Sequence, residues 1–356
     1  MPVAPRLPLL AAFAVAGSLA AFALLDRPAH ATPPAGPGAP AAGEVRLGYF
    51  PNLTHATAIV GVERGLFAAE LGADVTLTTA TFNAGPAAIE ALFSGALDAT
   101  YIGPNPAINA FVKSKGRAVR VVAGATSGGA FLVVEPSIAK AADLKGRKVA
   151  SPQLGNTQDV ALRAWLKREG LKVELRGASD VQILPQENAQ TLDAFKNRQI
   201  AGAWVPEPWA SRLVLEGGGK VLVDERDLWP ERAYVTTHLV VRTEFLSQHP
   251  DRVKALLRAH VQSGAWLAEH ADEAKLLVNG AIARITGRKL DEKLLDAAWK
   301  NLTFTDDPVA SSLKRSAQDA QAAGLLDLGG LDLAGIYDLT PLNDVLKERG
   351  LAAIRQ

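Results

Sequence analysis

The sequence predicts an α/β protein whose strands lie in parallel sheets. Two observations carry this. Short runs rich in Val, Ile, Leu, Thr and Tyr alternate with stretches of helical spacing from residue 44 to about residue 225, and Gly, Pro and Asn gather where a run meets the next helix. Beyond residue 245 the pattern turns almost wholly helical, which completes a layered fold rather than opening another sheet.

Taken in order, "EVRLGYF" (44–50) reads as a strand and "THATAIVGVERGLF" (54–67) as a helix ended near Gly65. "DVTLTTATF" (74–82) is a strand before a helix opening at Pro86, and "LDATYIG" (97–103) a strand before a helix opening near Pro106. "AVRVVAGA" (118–125) and "AFLVVE" (130–135) are strands. "GRKVASP" (146–152) is a strand leading to a helix over 156–169, where Leu162, Trp165 and Leu166 fall on one face and Gly170 suits the position just past the end. "DVQILP" (180–185), a helix at 189–197, "AGAWVP" (201–206), a helix at 207–216 and "KVLVDE" (220–225) continue the alternation. "THLVVRTEF" (237–245) is the last long strand, and Pro250 suits the first turn of the helices that follow.

The chain has 356 residues, of which 48% are hydrophobic and 21% charged, at net +1. Arg6, Asp26 and Arg27 contribute that +1, so the rest is neutral, which excludes the basic footprint a nucleic-acid binder needs. There is no Cys, so disulfides, thiolate metal sites and a Cys nucleophile are excluded.

Residues 1–31 read as an export signal: Arg6, the apolar run Leu7–Leu25, then the small-x-small pattern Ala29-His30-Ala31. An uncleaved N-terminal anchor is the alternative, since the run is about long enough to span a bilayer. With no Cys the chain is not a lipoprotein, and no Arg-Arg pair precedes the run. "TPPAGPGAPAAG" (32–43) reads as a linker. The expected location is periplasmic or otherwise extracytoplasmic.

The residues where strands meet helices repeat in kind. They are Asn52, Thr54 and His55 after the first strand, Asn83 and Gly85 after the second, Gly103 and Asn105 after the third, and Gly155, Asn156 and Thr157 after "GRKVASP". Open α/β sheets bind ligands at the carboxyl ends of parallel strands. Helix N-termini present free N–H groups and a dipole that favours an anion. Asn and Thr before one helix are ordinarily caps. Four such turns in one chain point to cradles aimed at a single anion. A further stretch, "AWVPEPW" (203–209), sets Trp204 and Trp209 around Glu207. It reads either as a cleft wall packing a ligand's carbon skeleton or as a buried Trp204 with Glu207 complementing a helix dipole.

"LGYFPNLTHATAIVGVERGLF", "FNAGPAAIEALFSGALDATYIGPNPAINAF", "DLKGRKVASPQLGNTQDVALRAWL" and "AWVPEPWASRLV" together resemble the substrate-binding proteins of ABC importers, in the branch that binds aliphatic sulfonates, nitrate and taurine. The resemblance covers roughly 44–325. It implies a type II periplasmic-binding-protein fold: two α/β lobes, a ligand cleft between them and two hinge crossings. It adds Ser127 and Gly128 to the ligand-facing turns, implies a membrane permease as partner, and implies no cofactor or metal. Lobe one would comprise 44–130 and 236–325, lobe two 131–235, and 326–356 a C-terminal extension along the outside. The chain departs from the family at Gly202, where a carboxylate is common.

The expected ligand is a small organic anion, an aliphatic sulfonate first, with taurine, nitrate or a vitamin precursor as alternatives. A sulfonate stays ionised and suits neutral donors at helix ends, whereas Glu207 near the cleft would suit the amine of taurine. The protein is expected to be a monomer. The rival class is a small-molecule lyase on the same fold. Ser127 in "GATSGGAF" does not form G-x-S-x-G, and the six His show no H-E-x-x-H spacing. His55 alone is placed near the cleft, with His249, His260 and His270 solvated on the helical tail.

Overall fold

The computed structural model describes residues 43–355. Among the described residues eleven strands form two sheets: β1 Glu44–Tyr49, β2 Thr76–Thr81, β3 Ala99–Ile102, β4 Val119–Gly128, β5 Ala130–Val134, β6 Lys148–Ser151, β7 Gln182–Pro185, β8 Gly202–Pro206, β9 Lys220–Asp224, β10 Val235–Arg242 and β11 Leu302–Phe304. The first sheet runs β11-β4-β10-β3-β1-β2 and the second β7-β6-β8-β5-β9. In the first, β1 pairs in parallel with β2 and β3, as βαβ units require. In the second, β6 pairs in parallel with β7 and β8.

The sheets are not purely parallel. β10 is inserted antiparallel between β3 and β4, and β5 antiparallel between β8 and β9. Both strands follow a crossing from one sheet to the other, so they enter their sheet from the end at which its parallel strands finish. At the first crossing Gly128 and Gly129 both have left-handed backbone, at φ 76° and 73°, a conformation glycine adopts without strain. Thr236 Oγ1, at the second crossing, donates to Gly128 O at 2.5 Å and ties the two connections together.

Each sheet is covered on both faces. Leu47, Tyr101, Leu239 and Val241 pack with Leu256, Leu257 and Val278 of the long C-terminal helices on one side of the first sheet. Ile102, Val119, Val121 and Val240 pack with Ile108 and Phe111 on the other. In the second lobe Leu162, Trp165 and Leu166 seal one face and Leu192, Phe195 and Leu213 the other. The helix Thr157–Arg168 has the predicted face, and Gly170, at φ 78°, ends it.

Some elements differ from the sequence reading. The stretch 54–67 is broken: a 3₁₀ turn Leu53–His55 precedes Ala56–Glu63, and Gly65 at φ 68° starts a separate helix Leu66–Leu71. The C-terminal segment does not simply lie along the outside. Ile336, Leu339, Leu342, Val345 and Leu346 are buried, and the helix Thr340–Glu348 packs into the first lobe's core. His260 is not solvated: it is fully buried, with Tyr101 Oη 2.8 Å from Nδ1 and Asp306 Oδ1 3.1 Å from Nε2. Among the described residues no helix is long and apolar enough to cross a membrane. The export signal expected over 1–31, its alternative as an uncleaved anchor, and the linker expected over 32–43, Gly43 apart, lie outside the described residues.

Candidate ligand-binding site

The carboxyl ends of β1, β2 and β3 face those of β6, β7 and β8 across the boundary between the lobes. A small cavity of about 20 Å³ lies there. Asn52, Thr54 and His55 reach it from the turn after β1, Asn83 from the turn after β2 and Gly103 from the turn after β3. Asn156 and Thr157 reach it from the other lobe. These predicted residues are brought together as the strand-end rule implies.

Several helices begin at this place. Asn52 precedes the turn that leads into Ala56–Glu63, Gly103 precedes Pro104–Lys113, Asn156 precedes Thr157–Arg168, and Asn188 opens Asn188–Lys196. None of the first three makes a side-chain cap bond to its own helix, so those N-terminal N–H groups are not consumed by capping. The convergent dipoles favour negative charge. Among the described residues no Lys, Arg, Asp or Glu lines the cavity.

Among the described residues His55 is the one titratable group in the lining. It is buried and stacks on Phe50 with ring centroids 4.3 Å apart. Burial pushes it down to about 3, so it is neutral near pH 7. Its Nδ1 accepts the Phe50 backbone N–H at 3.3 Å, which puts the ring proton on Nε2 and makes that nitrogen a donor. Among the described residues, three buried polar atoms of the lining have no partner: Thr157 Oγ1, Asn188 Oδ1 and Thr237 Oγ1. Buried polar atoms are ordinarily paired, so these mark a place built for a polar guest.

The lobes also touch directly. Gly85 N donates to Asn156 Oδ1 at 3.3 Å, Asn83 Nδ2 to Glu187 Oε1 at 3.0 Å, and Trp209 Nε1 to Asn52 Oδ1 at 3.0 Å. Gly85 is therefore at the boundary through its backbone. Trp209 does not line the small cavity but a larger one of about 500 Å³ beside it.

Other predicted residues stand elsewhere. Trp204 is fully buried in the second lobe's core, edge-on to Trp165, with Nε1 donating to Glu225 Oε2 at 2.7 Å; it is no cleft wall. Glu207 is buried and turned from the cavity, accepting from Ser211 N, Ser211 Oγ and Asn301 Nδ2. Burial raises its carboxyl above the usual range, and the Ser211 and Asn301 bonds partly oppose this. It offers no free carboxylate to a ligand amine. Asn105 donates to Ser316 O at 3.1 Å, joining two helices. Ser127 pairs opposite Val235 and Thr303 at the end of β4, and Gly128 serves the first crossing. Gly155, at φ 75°, donates its N–H to Asp159 Oδ2, which also holds Arg163 and so shapes the loop before Thr157. At Gly202, where the sequence departs from the pattern that the resemblance implies, a Cβ would come within 2.8 Å of Val133 O, so no side chain fits.

Sequence reasoning missed Gln158, Asn188, Thr236 and Thr237 in the small cavity. Asn188 had a usable signal: it opens a helix just after β7, as Asn156 does after β6. Thr236 and Thr237 had none, since they come from a crossing and not a strand-to-helix turn.

The sequence profile of the NMT1-like family matches residues 38–279. The chain belongs to the NMT1-like family. This NMT1-like chain is 29% identical over 230 residues to the taurine-binding periplasmic protein of Escherichia coli (strain K12), across 62% of this chain and 67% of that one. In structure it is similar to the alkanesulfonate-binding protein SsuA from Xanthomonas axonopodis pv. citri bound to MOPS, with a TM-score of 0.68, 20% identity, and 85% of this chain and 99% of that one covered. The periplasmic nitrate-binding protein NrtA from Synechocystis PCC 6803 gives a TM-score of 0.68 at 18% identity, over 87% of this chain and 90% of that one. The fold is thus the type II periplasmic-binding-protein fold, with two α/β lobes, a cleft between them and two crossings.

Proposed function

We propose that this protein is the extracytoplasmic substrate-binding component of an ABC importer, which captures a small organic anion and delivers it to a membrane permease. The observation that carries the reading is the convergence of helix N-termini from both lobes on one cavity without a charged side chain. Such a cavity selects an anion by oriented N–H groups and neutral donors, here including Thr157, Thr237 and the Nε2–H of His55. An aliphatic sulfonate suits it best. It is ionised at every working pH and offers several acceptor oxygens to many separate donors. The taurine-binding relative and the alkanesulfonate-binding neighbour support this class.

The role proposed is binding, not catalysis. Among the described residues no carboxylate lines the small cavity, and the neutral His55 has its Nδ1 lone pair engaged by Phe50. A second reading has one observation in its favour: a cavity of about 20 Å³ is closer to a compact ion such as nitrate than to a bulky sulfonate. The lobes must part slightly for either. Thermal-shift titration of the purified protein with methanesulfonate, taurine, nitrate, sulfate and bicarbonate tests the reading. At about a hundred times Kd a true ligand stabilises by roughly 2.7 kcal/mol. Stabilisation by sulfonates above nitrate and bicarbonate is expected. The reverse order would move the protein to the inorganic-anion class.

A further inference from the structure

Resting on the anion-binding reading above, we infer that the outer cavity is a second subsite for the ligand's apolar tail, so that this protein takes organosulfonates with an alkyl or aryl group of several carbons. The cavity of about 500 Å³ has the size of a small-molecule pocket, whereas the inner one has space for about one water. Asn52, Asn83 and Asn188 line both. The two cavities therefore share a wall, made of the Asn52–Trp209 and Asn83–Glu187 hydrogen bonds between the lobes. When the lobes part and those two bonds open, a head group held at the helix N-termini directs its carbon skeleton past the amides into the outer cavity.

The outer cavity's lining suits that skeleton. Phe82 and Trp209 supply aromatic surface, and Ile282, Ile285 and Leu290 supply aliphatic surface from the helix Ala271–Thr286 and the loop after it. Ile285 is 39% exposed although it is large and apolar, which a tail packed against it would remedy. The charged groups there are Glu187, Arg212 and Arg288. Arg212 is spent on Glu216, at 2.7 Å, and its guanidinium lies 4.8 Å from the centre of the Trp209 ring, which holds the indole in place. Glu187 accepts from Asn83. The tail subsite thus joins a segment of the first lobe's C-terminal helices to a site otherwise built from strand ends.

The test is calorimetric titration of the purified protein with methane-, butane- and hexanesulfonate, repeated with Trp209→Ala and Ile285→Asp. In the unmodified protein, affinity should rise at least about twofold per added methylene. Both variants should flatten that rise, and with Ile285→Asp methanesulfonate should bind within about twofold of its original Kd. Ile285 is partly exposed, so its variant keeps the fold even where Trp209→Ala does not. If hexanesulfonate binds no tighter than methanesulfonate, or if the variants keep the full chain-length dependence, the tail subsite is wrong while the anion cradle stands. If no sulfonate binds at all, the cradle reading itself falls.

Discussion

The side-chain oxygen of Asn156, in one lobe, accepts the backbone N–H of Gly85, in the other, at 3.3 Å. That N–H opens the helix Gly85–Phe93, so the amide oxygen sits where a helix N-terminus would meet an anion's oxygen. The Asn156 amide nitrogen donates to Gln158 Oε1 at 3.0 Å, which orients the group. Asn156 therefore closes the cleft as well as lining it. Asn156→Ala should weaken sulfonate binding by about 1 kcal/mol, roughly fivefold, through the lost closing bond. Calorimetry checks this, and an unchanged Kd would remove Asn156 from closure.

Trp204 gives the contrasting prediction. It is fully buried and its indole N–H is bonded to Glu225. Trp204→Ala should cost about 3–5 kcal/mol of stability, as truncation of a large core aromatic does. The order of preference among sulfonates should not change, because the ring does not line either cavity. Urea denaturation with a ligand series at low temperature separates the two effects. A changed ligand ranking in a folded variant would return Trp204 to the cleft.

What the sequence showed follows from what it encodes locally. Strand ends and helix starts are local, so Asn52, Asn83, Gly103, Asn156 and Thr157 could be placed together from the βαβ pattern and the strand-end rule. Direction of a side chain is not local. "AWVPEPW" has the same composition whether its first Trp faces a ligand or the helix Thr157–Arg168, and only the strand's pleat decides. In β8 it sends Trp204 to Trp165 and the core. The antiparallel strands β5 and β10 were hidden for a similar reason: an apolar run states burial, not direction. The outer cavity's Ile282 and Ile285 come from a helix more than seventy residues beyond the last cleft motif, and their apolar spacing is that of any core helix.

Opposed buried groups set the pH dependence of stability. Burial pushes Glu225 up to about 7 against an ordinary 4.5, with the Trp204 bond opposing, so between those values the native chain holds a proton that the unfolded chain releases. Stability gains from acidification there. His55 and His238 are pushed down to about 3 and about 4 by burial, from 6.5, so below pH 6.5 the unfolded chain binds protons the native chain refuses. Stability loses from acidification there, by about 1.4 kcal/mol per pH unit for each fully titrating group. Glu207, also raised by burial, acts in the same sense as Glu225. Glu225→Gln removes one compensating proton, so its urea midpoint should fall more steeply than the unmodified protein's between pH 6.5 and 5. Parallel slopes would show that Glu225 is ionised in the native chain throughout that range.

Closure itself can be tested at Gly103. Its φ is −69°, so a side chain there is barred by space alone and not by backbone strain. A Cβ would overlap Thr157 Oγ1 of the opposite lobe, and would stand 3.4 Å from Thr157 Cβ. Gly103→Ala should therefore leave each lobe's own core intact but wedge the lobes apart. Sulfonate binding should fall by about a hundredfold, equivalent to about 2.7 kcal/mol, with little change in the unfolding midpoint. Adding Thr157→Ala removes the overlapping hydroxyl and leaves an ordinary carbon contact. The double variant should close again on ligand, seen as a smaller radius in solution scattering. It should bind more weakly than the unmodified protein, since the Thr157 hydroxyl is one of the proposed donors. If Gly103→Ala binds as tightly as the unmodified protein, the lobes do not need to meet at this point. If the double variant closes and recovers full affinity, Thr157 is a spacer and makes no bond to the anion.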